Sequence, residues 1–546
     1  MTQSMTGGEA VVRSLIKLGT DTIFALPGVQ NDHLFNALYD HRDQIRVIHT
    51  RHEQGAAYMA MGYAQSSDKI GVYCVVPGPG FLNTTGALST AYAINAKVLC
   101  LTGEIPSNAI GQEIGLLHEI PDQLGIIHRL TKWAERIDAP QNAPRLVTEA
   151  YTQLMSGRPR PVGLEVPMDV WGTSAETDLT IVEPDPVQQE VDLGGVKEAA
   201  KLLGEAKHPV IVVGSGAQRA GAQVQALAEM LQAPIIPGRN GRGVVSNKHP
   251  LSLPSPDGRK FWGETDVVIG IGSRMYGTLR GWGHDDQMKL IRVDVDLGVM
   301  NQTRSADVAL NSDSAQTLTA LLDEIPKHNI KRSDRTEEMW THRAEMDKRY
   351  QTLEPQYGYV KAMRQALPEN GLFVDEVSQM GFASRFIMPI YNPKTFITSG
   401  YQGTLGFGFA TALGVKVAHP DKPVLSIAGD GGFMYNVQEL STMARHNINL
   451  VAVVFADGEF GNVRRMQAQN YEGRFIASDL HNPDFVKLAE SFGIRAQRAT
   501  SPEALRDAIE AGFTANEPTL IEVPTISTTE MPSPWQFSMA PPNRGV

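Results

Sequence analysis

The sequence predicts an α/β protein built from three doubly wound domains with parallel sheets. Three observations predict it. Short, β-branched apolar runs recur at 70–76, 97–103, 209–214, 266–272, 423–429 and 449–458, as parallel strands buried on both faces require. Helical stretches such as GGVKEAAKLLGEA (194–206) and PEALRDAIEAGF (502–513) lie between them, and that alternation marks parallel α/β sheets. The 546 residues amount to three or four domains at about 150 residues each. Two linker-like segments divide the chain: 172–192, rich in Thr, Asp, Glu and Pro, and 325–358, highly charged and without strand pattern. The expected domains are 1–172, 190–326 and 355–530.

Composition narrows the function classes. A hydrophobic share of 42% and a charged share of 20% belong to a folded globular chain. With 49 Lys and Arg against 60 Asp and Glu, the net charge is −11, a poor match for nucleic acid or an anionic membrane. Cys74 and Cys100 sit in apolar runs and are expected as buried free thiols. Two cysteines make no disulfide framework in a chain this long. The segment MTQSMTGGEAVVRSL lacks a basic region followed by an apolar one, so it does not read as a signal peptide. No apolar run approaches the roughly 18 residues that span a bilayer. A cytoplasmic location is expected.

In the first domain, HTRHEQGAAYMAMGYAQ (49–65) reads as a helix entered through a charged turn, with Glu53 at its start and small residues behind it. Small residues there allow close packing against another element. Alone, Glu53 would read as a solvent-facing carboxylate in a first helical turn. In the second domain, HPVIVVGSGAQRAG (208–221) is strand, Gly-x-Gly and helix, the outline of a dinucleotide fold. No acidic residue closes a ribose site about 20 residues on, where the chain reads APIIPGRNG. In the third domain, IAGDGGFMYNVQEL (427–440) is an apolar strand ending in Gly429-Asp430-Gly431-Gly432 before a helix. Glycines let a ligand approach the backbone N–H groups, and the helix start favours an anion. The next strand ends in Ala456-Asp457-Gly458-Glu459, so two strand-end aspartates stand 27 residues apart, one strand–helix–strand unit. Carboxylates at one sheet edge beside a glycine turn suit a Mg²⁺–diphosphate site.

These segments resemble the thiamine diphosphate (ThDP) enzymes, in particular the acetolactate synthase large-subunit group of 2-oxo acid decarboxylases and carboligases. The diphosphate motif of that family starts with Gly-Asp-Gly and ends in Asn-Asn, which is Ala456-Asp457 here. The glutamate helix of the family is similar to RHEQGAA with GYA behind it. FALPGVQNDHLFNAL (24–38), PGPGFLNTTGAL (77–88), RPRPVGLEVPMDV (158–170), DEVSQMGFAS (375–384) and SGYQGTLGFGFATALG (399–414) follow the family's order, from about residue 8 to residue 525. The three domains would then be pyrimidine-binding, central and diphosphate-binding.

The resemblance implies specific roles. Asp430 and Asp457 would bind Mg²⁺ by side chain and Glu459 by its carbonyl, with Gly429, Gly431, Gly432, Phe460 and Gly461 around the diphosphate. Glu53 would hydrogen-bond the aminopyrimidine in a largely apolar setting. Asn83 and Gln379 would contact the cofactor. Leu405 would wedge beneath it, and the Gly403 carbonyl would accept from its amino group. Gln30 and His118 are candidates on the substrate side, where the family's biosynthetic synthases have Phe-Gln-Glu and this chain has Leu117-His118-Glu119. The implied reaction is decarboxylation of a 2-oxo acid, then ligation to a second carbonyl. The alternative is release of an aldehyde by a simple decarboxylase similar to benzoylformate decarboxylase, or a related lyase or acyltransferase reaction. FAD is allowed by the resemblance but not expected, because LPSPDGRKFWG (253–263) replaces the Gly-Met-His-Gly stretch of flavin-binding members. A homodimer or homotetramer with sites at the subunit interface is expected. The tail, 529–546, is expected either to cover a site or to hang free.

Overall fold

The computed structural model describes residues 2–545. The first domain holds β1 (Thr2–Thr6), then β2 (Thr22–Ala25), β3 (Arg46–His49), β4 (Gly71–Val75), β5 (Val98–Glu104), β6 (Ala134–Arg136) and β7 (Val162–Pro167), then β8 (Ser174–Asp178). Strands β2 to β7 form one parallel sheet in the order β3-β2-β4-β5-β7-β6. The central domain pairs β9 (Pro209–Val213), β10 (Ile235–Pro237), β11 (Val267–Ile271), β12 (Lys289–Val293) and β13 (Val308–Leu310) in parallel, ordered β10-β9-β11-β12-β13. The third sheet takes β14 (Leu372–Val374), β15 (Phe396–Ile397), β16 (Val424–Gly429), β17 (Val451–Ala456), β18 (Arg495–Arg498) and β19 (Thr519–Pro524) in the order β15-β14-β16-β17-β19-β18.

All six apolar runs read as strands are strands, each buried on both faces between helices. Cys74 and Cys100 are buried and free, and burial pushes the Cys100 thiol up to about 12. Two segments differ from their sequence reading. The 172–192 linker begins with β8, which runs antiparallel to β1, so the start of the chain is clasped to the end of its domain. The tail does not hang free, and its Trp535 and Phe537 line the cavity that holds the Gly214-Ser215-Gly216 turn. A short helix, Trp535–Ser538, seats Phe537 against Tyr350 and Phe386, and Arg544 pairs with Asp285 of the central domain at 2.8 Å. Burying those aromatic rings outweighs the freedom the tail gives up.

The first and third domains share one core. Helix Glu53–Ser66 crosses helix Gly408–Ala418, and both are buried almost all round. At the crossing Gly62 abuts the carbonyl of Thr411 and Gly414 abuts that of Met59, with no room for a methyl group at either. The glycines let the two backbones meet directly. The central domain keeps a core of its own.

Candidate active site

The N-terminal half of the site stands at the carboxyl ends of β3 and β4. The chain leaves β3, and His52 Nδ1 accepts from the Gln54 amide at 3.1 Å, capping the helix whose first residue is Glu53. The Glu53 side chain is 14% exposed, and its Oε2 accepts from Asn83 Nδ2 at 3.0 Å. Asn83 follows the short helix Pro79–Leu82, which opens from the turn after β4. Within that turn Gly78 has φ 57°, and the His118 carbonyl lies where a Cβ would stand, so the position requires glycine. This contact seats the His118 loop on the turn.

Gln30 is buried. Its Nε2 donates to the Leu117 carbonyl at 3.0 Å, and its Oε1 lies 3.0 Å from His118 Nδ1. The Leu117 carbonyl orients the amide with its oxygen toward the imidazole. His118 therefore carries its proton on Nδ1, and in the neutral ring Nε2 is left as an acceptor.

The C-terminal half stands at the carboxyl ends of β14, β16 and β17. Adjacent parallel pairing of β16 with β17 puts Asp430 and Asp457 at one edge. Asp430 is buried. Its Oδ1 accepts from Gly431 N at 2.8 Å, and its Oδ2 accepts from Gly458 N and Asn482 Nδ2, both at 2.7 Å. Burial raises its pKa while these donors pull it down. Asp457 Oδ2 accepts from Thr528 Oγ1 at 2.7 Å. Burial, with the Asp430 charge beside it, pushes Asp457 up to about 6. Two such carboxylates present hard oxygen ligands that a divalent cation would relieve of mutual repulsion. The Glu459 side chain turns aside, accepting from Ser527 at 2.9 Å and pairing with Arg464 at 3.0 Å, so only its backbone remains for a ligand.

The other expected residues surround this edge. A Cβ on Gly431 would meet the Phe460 ring at 2.8 Å, and one on Gly461 would meet Asp457 Oδ2 at 2.9 Å. A Cβ on Gly432 would stand 3.3 Å from Leu405 Cδ1, so Leu405 lies over the turn that Gly429 opens. Gly403 has φ 60° with open space beside it. Gln379 is 7% exposed, and its Oε1 has no hydrogen-bond partner. A buried acceptor without a donor is costly, which makes this oxygen a place for a ligand's donor group. Among the described residues, no hydrogen bond or ion pair joins Glu53, Asn83, Gln30 or His118 to this second group.

Sequence reading missed Glu376, Glu439, Asn482, Ser527 and Thr528, which hold the site from behind. Glu376 accepts from the amides of Gly406 at 3.0 Å and Gly408 at 2.5 Å, and burial pushes it up to about 7. No local spacing announces such partners, because they arrive from distant parts of the chain. Away from this site a cavity of about 940 Å³ opens where the three domains meet. Gly214, Gly216, Arg239, Arg274 and Trp535 line it, and its carboxylates, Asp294 at the end of β12 and Asp313 after β13, come from later in the chain than the segment after β10.

Comparison with known proteins identifies the family. Residues 5–126 match the description "Thiamine pyrophosphate enzyme, N-terminal TPP binding domain", 196–321 the central domain and 376–523 the C-terminal TPP binding domain. The chain is 33% identical to a probable acetolactate synthase large subunit of Methanocaldococcus jannaschii, over 95% of this chain and 92% of the relative. It is 31% identical to the acetolactate synthase isozyme 2 large subunit of Escherichia coli, over 97% of both chains. A probable 2-ketoarginine decarboxylase of Pseudomonas aeruginosa is 31% identical over 95% of this chain and 94% of the relative. The chain belongs to the thiamine pyrophosphate-dependent enzymes.

Proposed function

We propose that this enzyme decarboxylates a 2-oxo acid and joins the product to a second carbonyl, as an acetolactate synthase does, with thiamine diphosphate and Mg²⁺ bound at the sheet edges described above. The observation that carries the reading is the pair of buried Asp430 and half-buried Asp457 beside the glycine turn, with the orphaned Gln379 oxygen nearby. When bound, thiamine diphosphate supplies the electron sink for decarboxylation. The residues present suit it. Asp430, Asp457 and the Glu459 carbonyl would hold Mg²⁺, and the Gly431 and Gly432 amides would face the diphosphate. Leu405 and the Gly403 carbonyl would support the rings, and Glu53, oriented by Asn83, would exchange a proton with the pyrimidine.

The site is proposed to close between two subunits. Apolar side chains stand exposed on both halves: Val29, Leu82, Ile114 and Leu117 on the first, Tyr401, Met434 and Tyr435 on the third. Burying them against a second copy of the chain would dry the pocket. A homodimer is the minimum unit of this reading.

The Gln30–His118 pair favours a second reading, decarboxylation ending in protonation. An imidazole fixed with a free Nε2 is a competent proton carrier, and the aldehyde would then leave without ligation. Incubation with thiamine diphosphate, Mg²⁺ and pyruvate, followed by proton NMR, separates the readings. Acetolactate lost in the Glu53→Ala variant is expected. Acetaldehyde without acetolactate would select the second reading, and no turnover of pyruvate would reject acetolactate synthesis. Neither reading needs a flavin, so a colourless purified protein is expected and a yellow one would assign the central cavity to FAD.

A further inference from the structure

Glu439 lies at the end of the same segment that begins with Asp430, and it is fully buried. Its carboxylate reaches out of the third domain to the entrance of the Glu53 helix. Oε1 accepts from the His52 amide at 3.0 Å, Oε2 accepts from the Arg51 amide at 3.1 Å, and Thr442 Oγ1 donates to Oε2 at 2.5 Å. The fit leaves no slack, since a Cβ on Gly55 would meet Oε1 at 2.6 Å. Three residues earlier, Asn436 accepts from Gln54 Nε2 at 3.4 Å and donates to the Gly406 carbonyl at 2.6 Å, next to Leu405. One short stretch of chain therefore grips the backbone on one side of Glu53 and the side chain on the other. It also contacts the Leu405 turn and carries the diphosphate aspartate.

We propose that Glu439 is a positioning residue: it fixes the start of the Glu53 helix to the Asp430–Glu439 segment, so the proton-exchanging glutamate and the diphosphate turn of one chain move as a unit. Removing the carboxylate leaves the Arg51 and His52 amides without their buried acceptor and frees the helix start to shift. A shift of about 1 Å in a reacting group can cost about a hundredfold in rate. If the cofactor sites lie between subunits, the same link joins the diphosphate turn of one site to the glutamate of the other.

The inference rests on the role proposed for Glu53, and the test separates the two. The holoenzyme, loaded with thiamine diphosphate and Mg²⁺, is followed for hydrogen–deuterium exchange at the thiazolium C2 by quenched-flow NMR. Cofactor affinity is measured by calorimetry alongside. Glu439→Ala is expected to slow exchange about a hundredfold at unchanged affinity, whereas Glu439→Gln, which keeps an acceptor oxygen, should stay within about tenfold of the parent. Should Glu439→Ala fail to fold, Asn436→Ala removes the Gln54 link and is expected to slow exchange about tenfold. Exchange at the parent rate in the alanine variants, or slowing only in proportion to lost affinity, would overturn the proposal. Slow exchange in Glu53→Gln with parent-rate exchange in Glu439→Ala would overturn it while leaving the role of Glu53 intact. Parent-rate exchange in Glu53→Gln would reject that role as well.

Discussion

The first and third domains wind six parallel strands in the same order, with the second strand at one edge and the fifth at the other. In both, a helix follows the second strand, and a buried carboxylate from the third domain caps its entrance: Glu439 for the Glu53 helix, Glu376 for the helix Gly408–Ala418. Those two helices cross glycine against backbone. The residues at the strand ends are where the domains part. After its third strand the first domain turns through Pro77-Gly78-Pro79-Gly80, while the third turns through Gly429-Asp430-Gly431-Gly432. One crevice sets Glu53 against the Asn83 amide, and the other sets an acid pair beside a glycine turn. Topology sets where a crevice lies, and the residues at its rim set what it can do.

That contrast can be broken at four places, from the largest expected effect to the smallest. Glu53→Ala should lower turnover by about 10²- to 10⁴-fold while calorimetry finds cofactor binding kept. Equal loss of both would erase the division of labour between the domains. Gly414→Val forces a side chain into the Met59 carbonyl and should destabilise the fold by about 3 kcal/mol, read as a lower urea midpoint. An unchanged midpoint would show that the crossing tolerates separation.

The third place is Glu376, whose carboxyl burial lifts from 4.5 to about 7. A raised folded-state pKa contributes stability that is complete below the unfolded value and lost as pH rises through the folded one. Relative to Glu376→Gln, the parent should lose about 3 kcal/mol between about pH 4.5 and pH 7, and nothing further above that. Thermal melts of both proteins across that range check it, and parallel curves would mean the carboxyl titrates normally. The smallest effect is expected from Thr528→Val, which takes a hydroxyl from Asp457. Mn²⁺ affinity, followed by electron paramagnetic resonance, should fall about tenfold. No change would make Thr528 a bystander.

Much of this was legible in the residues. Apolar runs bounded by turns marked the central strands of each sheet because burial on both faces leaves no alternation to confuse them. Gly429–Gly432 and Asp457 stood out because strand-end glycines and carboxylates follow a local geometry, whereas Glu53, alone a solvent-facing carboxylate by its pattern, was singled out only by the family resemblance. The short edge strands β6, β13 and β15 were not read, being only two or three residues long. The β1–β8 pairing was missed because its partners lie about 170 residues apart and share no pattern. His118 was picked out by its departure from a motif, but only its bond to Gln30 assigns its proton.

Order, type and spacing along the chain thus determined the parallel strands and the residues at their ends, since each follows from contacts within one strand–helix–strand unit, and the resemblance of those motifs carried the family. Tertiary structure alone decided that Glu376 and Glu439 cap helices in different domains, that Thr528 steadies Asp457, and that the tail docks on the central domain. Those contacts join residues far apart in sequence. Their energy comes from donors and acceptors that must be paired once burial has removed water, and which partner is within reach depends on how the domains pack.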